Sequence, residues 1–131
     1  MTRDGPLSTV LVAIAIGAVL GAWLRWALSY WLNPRLEHLP LGTLASNLVG
    51  GYLIGLAVAA FVAHPSLPPV WRLIIITGFL GGLTTFSTFS AENVALLASG
   101  AWGAALLHAG LHLAGSLAAT AVGIASVRAL T

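Results

Sequence analysis

Residues 78–89 read Gly-Phe-Leu-Gly-Gly-Leu-Thr-Thr-Phe-Ser-Thr-Phe, inside a segment otherwise apolar enough to cross a bilayer. A spanning helix must pair its backbone N–H and C=O groups internally, because the hydrocarbon offers no partner. A glycine pair, Gly81-Gly82, followed by the hydroxyls of Thr84, Thr85, Ser87 and Thr88, is an unusual choice at that depth. Interrupted backbone is tolerated in a membrane where protein buries it or where it lines a watery path. The stretch therefore predicts a helix broken mid-membrane, at the glycines, beside an ion or solute pathway. Unwinding there would turn freed carbonyls of the first half toward a small hard cation, and the positive N-terminal end of the second half toward an anion.

Outward from this stretch, the chain divides into four apolar segments, at about 7–32, 41–62, 70–98 and 101–130. Each meets the requirement of about 20 predominantly apolar residues for a spanning helix. The connections are polar and rich in proline: Asn33-Pro34-Arg35 with Glu37-His38-Leu39-Pro40, then His64-Pro65-Ser66-Leu67-Pro68-Pro69, then Ser99-Gly100. The expected architecture is an all-α integral membrane protein, one four-helix transmembrane domain over residues 1–131 with no soluble domain left over. Composition agrees: 59% of residues are hydrophobic and 6% charged, against roughly 25% charged in soluble domains. The sequence pI near 10.0 rests on a net charge of only +2 without a basic cluster, which speaks against nucleic-acid binding. There is no cysteine, so disulfide and thiol chemistry are excluded. The first apolar run is too long for a signal-peptide core and is read as a retained span.

Four spans put both termini on one side of the membrane. Arg3, Arg72 and Arg128 then fall on that side and Arg25 and Arg35 on the other, a split of three to two. Orientation by positive charge needs a clear excess. Near balance leaves two arrangements: insertion one way, or insertion both ways with assembly as an antiparallel dimer. Four spans enclose little space, so a pathway favours the dual-topology dimer. Gly17/Gly21, Gly51/Gly55, Gly78/Gly82 and the series Gly115, Ala119, Gly123 place small residues one helical turn apart, a pattern that lets helix backbones approach closely.

Polar residues at membrane depth are functional candidates by default. Asn47, near the start of the second span, offers an amide either to a pathway or to an ordinary interhelical hydrogen bond. Thr84, Thr85, Ser87 and Thr88 are too many to be explained by hydroxyls bonding back to their own helix. Phe86 and Phe89 share a helix face and suit lipid or core packing. Their ring edges are also electropositive and can solvate a small anion without trapping it, as conduction requires. In the fourth span His108, His112, Ser116 and Thr120 form a polar stripe at four-residue spacing. Histidines four apart suit a metal or haem, but acids are scarce and His38 and His64 lie in loops, so a hydrogen-bonding track for a moving ion fits better. Arg25 sits between Trp23 and Trp26, where it can snorkel to the interface or lend positive potential to an anion vestibule. Glu92 is the only acid near a helix interior and is expected at a pore mouth or helix end. Trp31, Trp71 and Trp102 suit the interfacial belt.

Together these residues resemble the Fluc fluoride channels, the CrcB family, over essentially the whole chain. Gly17-Ala-Val-Leu-Gly-Ala-Trp-Leu-Arg25 is similar to the family's first-helix motif. Leu41-Gly-Thr-Leu-Ala-Ser-Asn47 with Gly50-Gly51 is similar to its second. The string from Gly78 to Phe89 matches its third-helix signature and is the most specific of the three. The resemblance implies an antiparallel, dual-topology homodimer with two pores in the bacterial cytoplasmic (inner) membrane, exporting fluoride passively and excluding chloride. It implies that Asn47 donates a hydrogen bond in the pore and that Phe86 and Phe89 meet the ion with their ring edges. Ser87 and Thr88 become further hydroxyl contacts, and His108, His112, Ser116 and Thr120 the fourth-helix track. Gly81 and Thr84 offer backbone oxygens to a structural sodium ion at the dimer centre. The two histidines depart from the hydroxyl side chains expected on that track. Because histidine titrates near neutral pH, conduction is expected to respond to pH.

The alternative is a small four-helix, dual-topology drug or metabolite exporter. A proton-coupled exporter of that kind needs a carboxylate deep in the first helix, and Asp4 lies outside it. A structural subunit leaves the hydroxyl-rich break without a reason, and no nucleophile–base pair or acid cluster points to an enzyme.

Overall fold

Prolines punctuate the chain and the apolar runs between them fold as helices. The computed structural model describes residues 4–131, so Arg3 of the charge count lies outside the described residues. Helix α1, Leu7–Leu32, starts directly after Pro6, and α2, Leu41–Ala63, directly after Pro40. The Asn33 side chain caps α2, its Oδ1 accepting from the Gly42 N–H at 2.7 Å. The third segment is composite. Its first part, α3 (residues 69–83), opens as a regular α-turn over Pro69–Arg72, widens to π-helix over Leu73–Leu80 and tightens again over Gly81–Leu83. Its second part, α4, runs Phe86–Ala98. The last helix, α5, is Trp102–Arg128. The turn before α5 closes through Gly100 at φ +78°. The Ala101 N–H reaches the Leu96 carbonyl and the Gly100 N–H the Leu97 carbonyl, a Schellman ending that needs a residue tolerant of left-handed backbone. The described residues contain no β-strand, and four segments are long and apolar enough to span a membrane: Leu7–Arg35, Leu41–Ala63, Pro69–Ala98 and Trp102–Arg128.

The small residues now have partners. α1 packs along α3, and α2 along α5. A Cβ added at Gly17 would lie 2.1 Å from the Ile74 carbonyl oxygen and one at Gly21 2.0 Å from that of Phe79, while Gly78 faces Ile14 and Gly17 in return. Across the other pair, a Cβ at Gly55 would meet the Thr120 carbonyl at 2.2 Å, and one at Gly123 that of Tyr52 at 2.3 Å. Each contact is backbone on backbone, so no side chain can rotate away. Gly55→Val is expected to force α2 and α5 apart and lower stability by about 1–3 kcal/mol. Thermal denaturation of the detergent-solubilised protein checks this, and an unshifted midpoint would contradict it.

The interruption of the third segment differs from the sequence expectation. Gly81 and Gly82 remain helical. The break lies at Thr84 (φ −84°, ψ 154°) and Thr85 (φ −152°, ψ 121°). Gly82 is instead small for packing: an added Cβ would sit 2.5 Å from the Ala18 carbonyl of α1. The interior core is slight, Ala57, Phe61, Leu80 and Leu83, while large apolar side chains such as Leu11, Ile16, Val62, Leu106, Leu113 and Leu117 point outward. That inside-out distribution suits a chain whose solvent is lipid.

Candidate functional site

The break is held open by side chains that replace the helix's own hydrogen bonds. Thr85 caps α4, its Oγ1 accepting from the Thr88 N–H at 3.1 Å. Asn47 of α2 pairs with the Thr85 peptide on both sides. The Thr85 N–H donates to Asn47 Oδ1 at 2.8 Å, and Asn47 Nδ2 donates to the Thr85 carbonyl at 2.9 Å. In a continuous helix the N–H of Thr85 would bond the Gly81 carbonyl and that of Thr88 the Thr84 carbonyl. Both N–H groups are committed elsewhere, so the Gly81 and Thr84 carbonyls lose those partners. The Gly82 carbonyl accepts from Arg25 Nε at 3.0 Å. Arg25 therefore braces the break from α1, a contact the sequence left open.

The second hydrogen of Asn47 Nδ2 goes to His112 Nδ1 at 2.9 Å. From His112 a polar and aromatic cluster extends through α4 and α5. His112 and His108 stand with ring centroids 4.5 Å apart. His108 Nε2 meets Glu92 Oε2 at 3.3 Å, and Thr43 Oγ1 donates to Glu92 Oε1 at 2.5 Å. Phe89 lies against both imidazoles, 5.2 Å from His108 and 4.6 Å from His112, and takes the Phe86 ring edge-on at 5.4 Å. Glu92 thus lies inside a side-chain cluster rather than at a helix end.

Beside this cluster opens a groove of about 500 Å³ whose lining includes Asn47, Gly81, Thr84, Phe86, Phe89, His112 and Ser116. These residues were singled out from the sequence, and the fold brings them to one place. Others lie apart. Ser87 lines a separate shallow recess with Phe86 and Ser90. Thr88 faces the cap, its Oγ1 accepting from Thr85 Oγ1 at 3.1 Å. His108 is fully buried behind Phe89. The Thr120 hydroxyl is directed at the α2–α5 contact, at 2.9 Å from both the Gly51 carbonyl and the Ser116 carbonyl. Sequence reasoning missed the Thr43–Glu92 bond, the clasp of Asn47 on Thr85 and the π-helical stretch. The first two join residues 49 and 38 positions apart, and no local pattern announces them. The third coincides with the apolar run Leu73-Ile-Ile-Ile76, which looks the same in any buried helix.

Known proteins carry similar sequences. A family profile described as "CrcB-like protein, Camphor Resistance (CrcB)" matches residues 12–124. A protein of Cupriavidus metallidurans named "Fluoride-specific ion channel FluC" is 62% identical over 126 residues, 96% of this chain and 98% of its own length. A protein of the same name from Thiobacillus denitrificans is 56% identical over 122 residues, 93% of this chain and 98% of its own. Another, from Pseudomonas syringae pv. maculicola, is 60% identical over 116 residues, 88% of this chain and 91% of its own. With a family profile spanning most of its length and relatives this similar almost end to end, the chain belongs to the CrcB family.

Proposed function

We propose that this chain is a fluoride-selective channel, working as an antiparallel, dual-topology homodimer in the bacterial cytoplasmic membrane and letting fluoride leave the cell passively. The observation that carries this is the groove at the helix break. It gathers an amide, three hydroxyl residues, an imidazole and two phenylalanines, and among the described residues no arginine lines it. Ring edges and neutral donors replace the hydration shell of a small anion without a fixed cation to hold it, and an ion must leave a site as readily as it enters. Fluoride crosses lipid as neutral hydrofluoric acid, which loses its proton in the more neutral cytoplasm. The trapped anion then leaves through a selective leak, driven by the membrane potential.

Phe86 and Phe89 form the aromatic wall of this path. Asn47, His112 and Ser116, which line the groove with them, supply its polar groups. Both hydrogens of the Asn47 amide have partners in the protomer, so fluoride takes over the one held by His112 while the bond to Thr85 keeps the break in place. The open side of the groove calls for a second copy. Phe86 is 79% exposed, and Gly81 stands exposed beside it with its carbonyl relieved of its helical donor. Paired through this face, two copies bring together the Gly81 and Thr84 carbonyls of each. An all-oxygen set of carbonyls left without their helical donors suits a sodium ion, which would supply a fixed positive charge between the subunits. Expression of the chain in a bacterial strain lacking its own fluoride exporter is expected to restore growth in fluoride medium. Protein in the membrane without rescue would contradict this function.

A further inference from the structure

Glu92, His108 and His112 come from two helices and set their ligating atoms within 4.8 Å of one another. His108 and His112 are 0% and 5% exposed. Among the described residues, His108 Nδ1 and His112 Nε2 are buried without a hydrogen-bond partner. Buried polar atoms are ordinarily paired, so the orphaned His112 Nε2, one of the two His112 nitrogens that a metal can take, calls for a partner. We propose that these three side chains form a binding site for a zinc-class divalent transition metal, and that the bound metal closes the ion path. The effect on flux rests on the fluoride-channel function proposed above; the binding itself does not.

Two imidazoles and a carboxylate form a familiar three-ligand set for zinc, leaving a fourth position open. Imidazole ligands suit zinc, copper or nickel better than the hard cations magnesium and calcium. Bonds of about 2.0–2.1 Å in a tetrahedral site hold ligand atoms about 3.3 Å apart. His108 Nε2 and Glu92 Oε2 already stand 3.3 Å apart, and His112, one helical turn from His108, shares its face. Thr43 occupies Glu92 Oε1, which orients the carboxylate and leaves Oε2 for the metal, the usual task of an outer partner.

The protons can be followed. A metal takes an unprotonated ring nitrogen. At His108 the proton moves from Nε2 to the unpartnered Nδ1 and frees the atom beside Glu92. At His112 the Nδ1 lone pair accepts from Asn47. Metal at Nδ1 displaces that amide; metal at Nε2 sends the ring proton to Nδ1, donor facing donor. Either way, binding competes with the Asn47–His112 hydrogen bond. A dication here also stands beside Phe89 with one position open, where it retains fluoride instead of passing it on.

Calorimetric titration of zinc into tag-free, detergent-solubilised protein tests the site, with His38→Ala/His64→Ala as the background to remove the loop imidazoles. The background protein is expected to bind about one zinc ion per chain, and Glu92→Gln or His112→Ala to weaken binding by about tenfold or more. Zinc binding that is absent, or indifferent to both substitutions, would overturn the site. Should a variant fail to fold, X-ray absorption of the zinc-loaded background protein counts the ligands: two imidazoles are expected, and none or one would overturn it. In liposomes, zinc is expected to arrest fluoride efflux and a chelator to restore it. Undiminished efflux with zinc bound would overturn the closure, whereas absence of efflux before zinc is added would count against the channel function and leave the binding result standing.

Discussion

Asn47→Asp is expected to reduce fluoride flux by about a hundredfold or more. The substitution keeps the oxygen that accepts from the Thr85 N–H but turns Nδ2, which donates to the Thr85 carbonyl and to His112, into a second acceptor. Oxygen then faces oxygen across the break, and a negative charge stands in the way of an anion. Two like charges about 4 Å apart repel by about 4 kcal/mol at an effective dielectric of about 20, and each 1.36 kcal/mol on a barrier is about tenfold in rate, hence two decades or more. Fluoride efflux from reconstituted vesicles measures it. Because the clasp on Thr85 weakens as well, thermal stability should fall in parallel. Flux equal to that of the parent would remove Asn47 from both roles.

Phe89→Ile should lower fluoride flux by about tenfold or more while the protein remains folded. Isoleucine fills much of the same space and stays apolar, so insertion and packing change little. It abolishes the ring that meets Phe86 edge-on at 5.4 Å and both imidazoles at 5.2 and 4.6 Å. Aromatic pairs contribute about 0.5–1.5 kcal/mol each beyond burial, and an anion passing the electropositive ring edge loses stabilisation of similar size, enough for about a decade in rate. Phe86→Ile is expected to act in the same direction. Size-exclusion elution matched to the parent, together with efflux, separates loss of the path from loss of the fold. Unchanged efflux in both variants would take the phenylalanines out of the pathway.

The four spans were legible because composition and proline placement dictate them: Pro6, Pro40 and Pro68 each stand directly before a helix. The small-residue pairs showed that helices approach closely, but which helix meets which appeared only when Gly17 and Gly21 were found against the α3 backbone and Gly55 against Gly123. The glycines expected to unwind stay helical, and the helix is interrupted at Thr84 and Thr85 instead. Glycine permits an unwound backbone without requiring one. What fixes the interruption is Thr85 acting as a cap and Asn47, 38 positions away, accepting from its N–H and donating to its carbonyl. The histidines were visible as a stripe, yet their third companion was not, since Glu92 stands on another helix and joins them only through tertiary packing.

The most direct measurement is anion efflux from liposomes containing the purified protein, followed with fluoride- and chloride-selective electrodes. Rapid fluoride efflux, with chloride retained inside the vesicles, is the predicted result. Fluoride release no faster than from protein-free vesicles, or equal release of chloride, would contradict it.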